Sequence, residues 1–176
     1  MTVGRAPEKM DESRKRILES KARVRLIEGK PGVGKTWFGC ELAHHELTHP
    51  ALGVQSHQKI LFLTFARNAV ARIRQVFGDQ RLSDRTEADD LAKWVRIDTF
   101  CGFFWWLVES YGRYGLGGTS KRLWLIGSRE VADAPIPDGY EGCTFDKVEV
   151  KSLELVQIQA MRKLISDMYP LMIIDE

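Results

Sequence analysis

Residues 29–36 form the most constraining feature of this chain, a glycine-rich loop that ends in a lysine and a threonine. They read Gly-Lys-Pro-Gly-Val-Gly-Lys-Thr and match the pattern G-x-x-x-x-G-K-[ST]. Glycines at positions 29, 32 and 34 permit tight turns that aim backbone N–H groups at phosphate oxygens. A helix that begins at Gly34 adds the positive end of its dipole. We therefore expect this loop to bind the phosphates of a nucleotide triphosphate.

The segments beside the loop fit the same prediction. Residues 24–28 are predicted as a strand and residues 35–47 as a helix, so strand, loop and helix follow in the required order. Lys35 is the expected catalytic cation at the β- and γ-phosphates, and the Thr36 hydroxyl is an expected Mg²⁺ ligand. The predicted ATP-binding residues are Gly29, Lys30, Pro31, Gly32, Val33, Gly34, Lys35 and Thr36.

An acidic pair, Asp175-Glu176, follows the apolar run 171–174. Such a pair can be no more than a solvated strand end. In a chain with a phosphate loop, the acidic pair instead predicts two separate roles. Asp175 holds Mg²⁺, and Glu176 acts as the catalytic base toward the attacking water. Together with the loop, the pair predicts a nucleotide triphosphatase.

Composition excludes several other classes of protein. The chain has 176 residues, 44% of them hydrophobic, which suits one domain with a real core. Its three cysteines and four histidines show no zinc-ligand spacing, and we expect free thiols in a reducing environment. No signal peptide or membrane-span pattern appears, so we expect a cytoplasmic protein without a membrane partner.

The order of predicted elements favours an α/β fold with a parallel sheet flanked by helices. We expect a basic, helical N-terminal segment over 1–23 and a main domain over 24–176, with a small insertion at 115–147. Predicted helices cover 11–20, 35–47, 67–77, 99–114 and 148–168, and predicted strands cover 24–28, 60–64, 95–98, 122–126 and 171–175.

Two predicted helices carry side chains that suggest more than packing. The helix over 67–77 has an inward stripe of Ala66, Ala69, Val70, Ile73 and Phe77. Arg67 and Arg74 lie on an adjoining face, which suits either a phosphodiester chain or plain solvation. In the helix over 99–114, Trp105 and Trp106 flank a core stripe of Phe100, Phe103, Phe104, Leu107, Val108 and Tyr111. For these tryptophans we favour burial against the insertion over base stacking.

The order of motifs resembles the first RecA-like domain of UvrD/Rep-type superfamily 1 DNA helicases. Residues 29–36 match motif I, Leu63-Thr64-Phe65 with the following Arg67-Asn68 resembles motif Ia, and Thr99-Phe100-Cys101-Gly102 resembles motif Ib. The run 173–176, Ile-Ile-Asp-Glu, matches the start of motif II. The resemblance covers residues 24–176, and its specificity lies in the combination of motifs.

This resemblance implies a RecA-like P-loop fold, ATP and Mg²⁺ as cofactors, and translocation on single-stranded DNA with 3′-to-5′ unwinding. It implies DNA contacts by Phe65, Arg67, Asn68 and Thr99, and a second RecA-like domain as partner across the ATP cleft. Preference for adenine follows only from the resemblance, because no glutamine precedes Gln55. An ATPase that acts on protein partners and a non-catalytic nucleotide-binding remnant are the alternatives.

Because the later helicase motifs are absent, we expect a fragment that hydrolyses ATP very slowly or not at all. An arginine finger alone contributes roughly 10³–10⁵-fold to turnover in related chemistry. In RecA-like sheets the strand after motif II lies between the motif I and motif II strands. We therefore expect a gap in the sheet, unpaired backbone groups and an isolated chain that is marginally stable or aggregates.

Overall fold

A computed structural model describes residues 12–20, 22, 24–30, 32–48, 55, 57–78, 93–115, 121–127 and 135–175. Within these ranges the helices are α1 (Glu12–Leu18), α2 (Lys35–Thr48), α3 (Arg67–Gly78), α4 (Phe100–Gly115), α5 (Phe145–Gln157) and α6 (Gln159–Met168). The strands are β1 (Ile60–Thr64), β2 (Val95–Thr99), β3 (Arg122–Ile126), β4 (Tyr140–Thr144) and β5 (Met172–Asp175). The fold is mixed α/β, as the sequence predicts.

A three-stranded parallel sheet, in the order β2-β1-β5, lies at the centre of the fold. Its middle strand is the apolar run Ile-Leu-Phe-Leu-Thr, which is buried throughout. A strand that is buried on both faces reads as such a continuous run, which explains why its limits are predictable from sequence. Thr64 is in register with Thr99 on one side and Asp175 on the other, so the carboxyl ends of all three strands meet at one edge.

Helices cover both faces of this sheet. On one face, Ile60 and Phe62 of β1 pack with buried residues of α2 and α3, namely Cys40, Ala43, Ile73 and Phe77. On the other face, Leu61 and Leu63 pack against Phe103 of α4 and Tyr169. A Cβ added at Gly39 would lie 3.0 Å from Phe62 Cζ, so the absence of a side chain there lets α2 approach the sheet closely.

The predicted insertion contains a separate two-stranded parallel sheet, formed by β3 and β4. Leu123, Leu125 and Cys143 of this sheet pack with α4 and α5 in a second core cluster. The sequence analysis missed β4, because Tyr-Glu-Gly-Cys-Thr contains few strand-forming residues. Pairing with β3 and burial of Cys143 therefore define this strand.

The predicted strand at residues 24–28 is wrong. The segment 24–30 is neither helix nor strand and forms no ladder among the described residues, and Val24 and Leu26 are each 81% exposed. A β-strand requires a neighbouring strand for its backbone hydrogen bonds. The edge of β5 that faces away from β1 has no paired strand within the described part of the chain. Side-chain contacts attach the segment to α2 instead. Ile27 packs against the apolar cluster that contains residues of α2, and Arg25 forms an ion pair with Glu46.

Two further predictions need correction. The single helix predicted over 148–168 begins earlier, at Phe145, and is divided at Ile158, whose ψ of 122° is extended. No proline or glycine marks the break in the sequence, and the residues on both sides of it pack into the same cluster with α4. Ala66, which we placed on the inward stripe of α3, is exposed, because the helix begins after it.

Candidate nucleotide site

The glycine-rich loop has the backbone conformation that its sequence suggests. Gly32 and Gly34 have φ angles of 81° and 89°, a left-handed region that L-residues adopt only at a cost. Gly29 is constrained differently: a Cβ there would lie 2.9 Å from Val33 Cγ2. The described loop residues are thus folded into a tight turn that leads directly into α2. Pro31 lies outside the described residues.

Lys35, in the first turn of α2, folds back over this loop. Its ammonium Nζ donates hydrogen bonds to the carbonyl oxygens of Gly29, at 2.7 Å, and Lys30, at 3.5 Å. The helix itself starts on the bond from Phe38 N–H to the Gly34 carbonyl, at 2.9 Å. The cationic side chain and the positive end of α2 therefore both lie at the loop, where an anion would be stabilised.

The contact that unites the predicted site joins Thr36 to Asp175. The Thr36 hydroxyl Oγ1 donates to Asp175 Oδ2 at 2.8 Å, across 139 positions of sequence. The sheet order explains this proximity, because α2 packs on the face of the sheet toward which the last residue of β5 points. The structure therefore brings together the loop and the aspartate that the sequence places at opposite ends of the domain. Glu176 lies outside the described residues.

The chemistry of this pair suits a magnesium ion. Mg²⁺ prefers hard oxygen ligands, retains several waters and is commonly held by only one or two protein groups together with substrate phosphates. A hydroxyl and a carboxylate oxygen 2.8 Å apart, beside a loop of backbone amides, provide such a donor set. Among the described residues no group of three or more His, Cys, Asp and Glu side chains could form a closed metal site.

Two residues of the site were missed by the sequence analysis. Cys40 of α2 is fully buried, and burial, reinforced by the nearby Asp175 carboxylate, raises the pKa of its thiol to about 12. Thr64 ends β1 between Thr99 and Asp175 and is 1% exposed. The sequence feature that could have identified Thr64 is a hydroxyl residue at the end of an otherwise apolar run, within the stretch that resembles motif Ia.

The residues predicted to contact DNA lie at the same edge of the sheet. Phe65 follows β1 and is 70% exposed, and its ring centroid lies 4.7 Å from that of Phe100 at the start of α4. Arg67 and Asn68 are exposed in the first turn of α3. Thr99 has a structural role, because its hydroxyl accepts a hydrogen bond at 3.0 Å from the third residue of α4 and thereby caps that helix.

The tryptophans of α4 pack within the protein, as we expected. Trp105 and Trp106 are partly buried in the cluster that includes Leu123 and Leu125 of the insertion. The Trp106 ring also lies under the Arg96 guanidinium, whose Cζ is 4.0 Å from the ring centroid. These contacts assign the two side chains to packing rather than to base stacking.

Comparison of the chain with protein-family models, with curated proteins and with solved structures finds no match. None of the helices in the described ranges is long and apolar enough to cross a membrane.

Proposed function

We propose that this chain is the ATP-binding part of a UvrD-like, RecA-type DNA helicase, in which hydrolysis of Mg·ATP drives movement along single-stranded DNA. The observation that carries the proposal is the 2.8 Å hydrogen bond from Thr36 to Asp175. Two motifs chosen from sequence for complementary tasks in one reaction meet at one point. A chance glycine turn has no reason to lie against the predicted acidic strand end.

In this proposal the loop amides and Lys35 bind the triphosphate, while Thr36 and Asp175 hold the ion that accompanies it. The ion, when bound, supplies Lewis-acid stabilisation of charge on the phosphates. Binding requires the Lys35 ammonium to exchange its bonds to the loop carbonyls for phosphate oxygens. Those carbonyl contacts, at 2.7 and 3.5 Å, support this role because they hold the cation against the glycine-rich loop.

Single-stranded DNA is the proposed partner because of what lies on the same sheet edge. Phe65 presents a largely exposed ring that contacts the Phe100 ring at a centroid distance of 4.7 Å, and a base can stack on an exposed ring of this kind. The exposed Arg67 lies two residues further on, where it can contact a phosphate. Thr64, which precedes Phe65, is in register with Asp175. The proposed nucleotide site and the proposed DNA contact would therefore be only a few residues apart.

Binding of fluorescent ATP to the chain, with and without Mg²⁺, tests the nucleotide site. We expect Mg-dependent binding by the wild type and its loss in Lys35→Ala. Lys121→Ala, at an exposed lysine before β3, is the matched control and should bind as the wild type does. Equal binding by Lys35→Ala and wild type would refute the site.

Fluorescence anisotropy with labelled oligonucleotides tests the proposed partner. We expect salt-sensitive binding of single-stranded DNA that Mg·ATP alters, and a Phe65→Ala variant that binds DNA more weakly while its ATP binding is unchanged. If the chain binds ATP but does not bind DNA at low salt, the result would instead support an ATPase that acts on proteins.

A further inference from the structure

Among the described residues of the candidate site, Thr64 carries the one buried hydroxyl that the proposed function does not use. The residue is 1% exposed, and its Oγ1 has no hydrogen-bond partner among the described residues. A buried polar atom without a partner costs about 1–3 kcal/mol. Valine has nearly the same shape as threonine and would avoid that cost, so the hydroxyl calls for an explanation.

Strand alternation determines the face of the sheet on which the Thr64 side chain lies. Phe62, two residues earlier on β1, packs against Cys40 and Ala43 of α2, so the Thr64 side chain lies on the same face of the sheet. Asp175 is the cross-strand neighbour of Thr64 in a parallel register, and its carboxylate reaches Thr36 on that face. Thr64 therefore lies beside Asp175, on the side where the phosphate loop approaches.

We propose that Thr64 is a positioning residue of the nucleotide site, whose hydroxyl hydrogen-bonds a water that enters with Mg·ATP beside Asp175. This inference rests on the proposed function and adds a third oxygen group to the pair Thr36–Asp175. Mg²⁺ usually keeps several of its waters when it binds to proteins, and these waters donate hydrogen bonds to acceptors around the ion. The Thr64 hydroxyl oxygen can accept such a bond.

Three variants separate this role from simple packing. Thr64→Val keeps the shape and removes the hydroxyl, and Thr64→Ser keeps the hydroxyl and removes the methyl group. Thr144→Val is the matched control, because Thr144 also ends a parallel strand and makes no side-chain capping bond at α5. For each variant we would measure thermal unfolding of the nucleotide-free chain and the affinity for ATP with Mg²⁺ and with EDTA.

We expect the nucleotide-free Thr64→Val variant to be as stable as the wild type or more so, because no hydrogen bond is lost. Its affinity for Mg·ATP should fall about tenfold, as for loss of a hydrogen bond to a polarised group, while its affinity in EDTA stays unchanged. Thr64→Ser should retain Mg·ATP affinity, and Thr144→Val should behave as the wild type in binding.

Two results would overturn the inference while leaving the proposed function intact. One is a Thr64→Val variant that binds Mg·ATP as tightly as the wild type, which would make the hydroxyl irrelevant to the site. The other is loss of stability in the nucleotide-free Thr64→Val chain, which would show a structural partner for the hydroxyl. A wild type that does not bind Mg·ATP would refute the proposed function itself.

Discussion

The ion pair between Arg25 and Glu46 offers a stringent test of how the glycine-rich loop is held in place. Arg25 Nη2 lies 3.2 Å from Glu46 Oε1, and the two side chains are 14% and 0% exposed. Since residues 24–30 form no ladder among the described residues, this pair and the packing of Ile27 are what attach the loop entrance to α2.

Arg25→Met should be strongly destabilising, because it leaves the buried Glu46 carboxylate without its cation. Removing one partner of a buried pair costs about 3–5 kcal/mol. We expect the lower end of that range, about 3 kcal/mol, because one nitrogen of Arg25 and one oxygen of Glu46 already lack partners among the described residues. Glu46→Gln leaves a cation with some access to water and should cost only about 1 kcal/mol.

Urea unfolding at pH 7, followed by tryptophan fluorescence, measures both variants and the double variant. The effect of Arg25→Met should shrink by at least about 1 kcal/mol in the Glu46→Gln background, because the buried charge is then absent. Arg25→Met should also weaken binding of Mg·ATP, although Arg25 is no part of the predicted phosphate contacts. Additivity of the two substitutions within about 0.5 kcal/mol would refute this account of the pair.

Four more predictions follow from local geometry. Gly34→Ala should weaken Mg·ATP binding and cost about 1–2 kcal/mol in backbone strain, whereas Gly127→Ala, which has equal space and no positive φ, should do neither. Phe65→Ala should lower affinity for single-stranded DNA by about 1–3 kcal/mol in anisotropy titrations, and an unchanged affinity would exclude base stacking there. In alkylation followed by mass spectrometry, the exposed Cys101 should react in the folded chain while the buried Cys143 is protected. Burial raises the pKa of the Cys143 thiol above 9.0. The contribution of Cys143 to the free energy of unfolding is therefore complete below pH 9 and is lost as pH rises through the raised pKa. A Cys143→Ala variant should lack this loss of stability at alkaline pH.

The first and last residues of several elements could be predicted, because the sequence of each element is enough to indicate its limits. The strand Ile60–Thr64 is a continuous apolar run that a buried parallel strand requires, and the run Arg122–Ile126 is equally clear. The strand Tyr140–Thr144 was missed, because its pairing with β3 stabilises it and its composition does not. The opposite error occurred at residues 24–28. The sequence there has a strand-like pattern, but no strand among the described residues pairs with the segment.

The same contrast applies to the candidate site. Positive φ at Gly32 and Gly34 is a property of a few adjacent residues, so the pattern of glycines was enough to predict a tight turn before α2. The contact from Thr36 to Asp175 spans 139 positions and exists only because β5 pairs with β1 under α2. Burial of the Thr64 hydroxyl has the same origin, since helices and neighbouring strands exclude water from it. Backbone torsions are local, whereas burial and cross-strand proximity come from packing between distant segments, which no short stretch of sequence encodes.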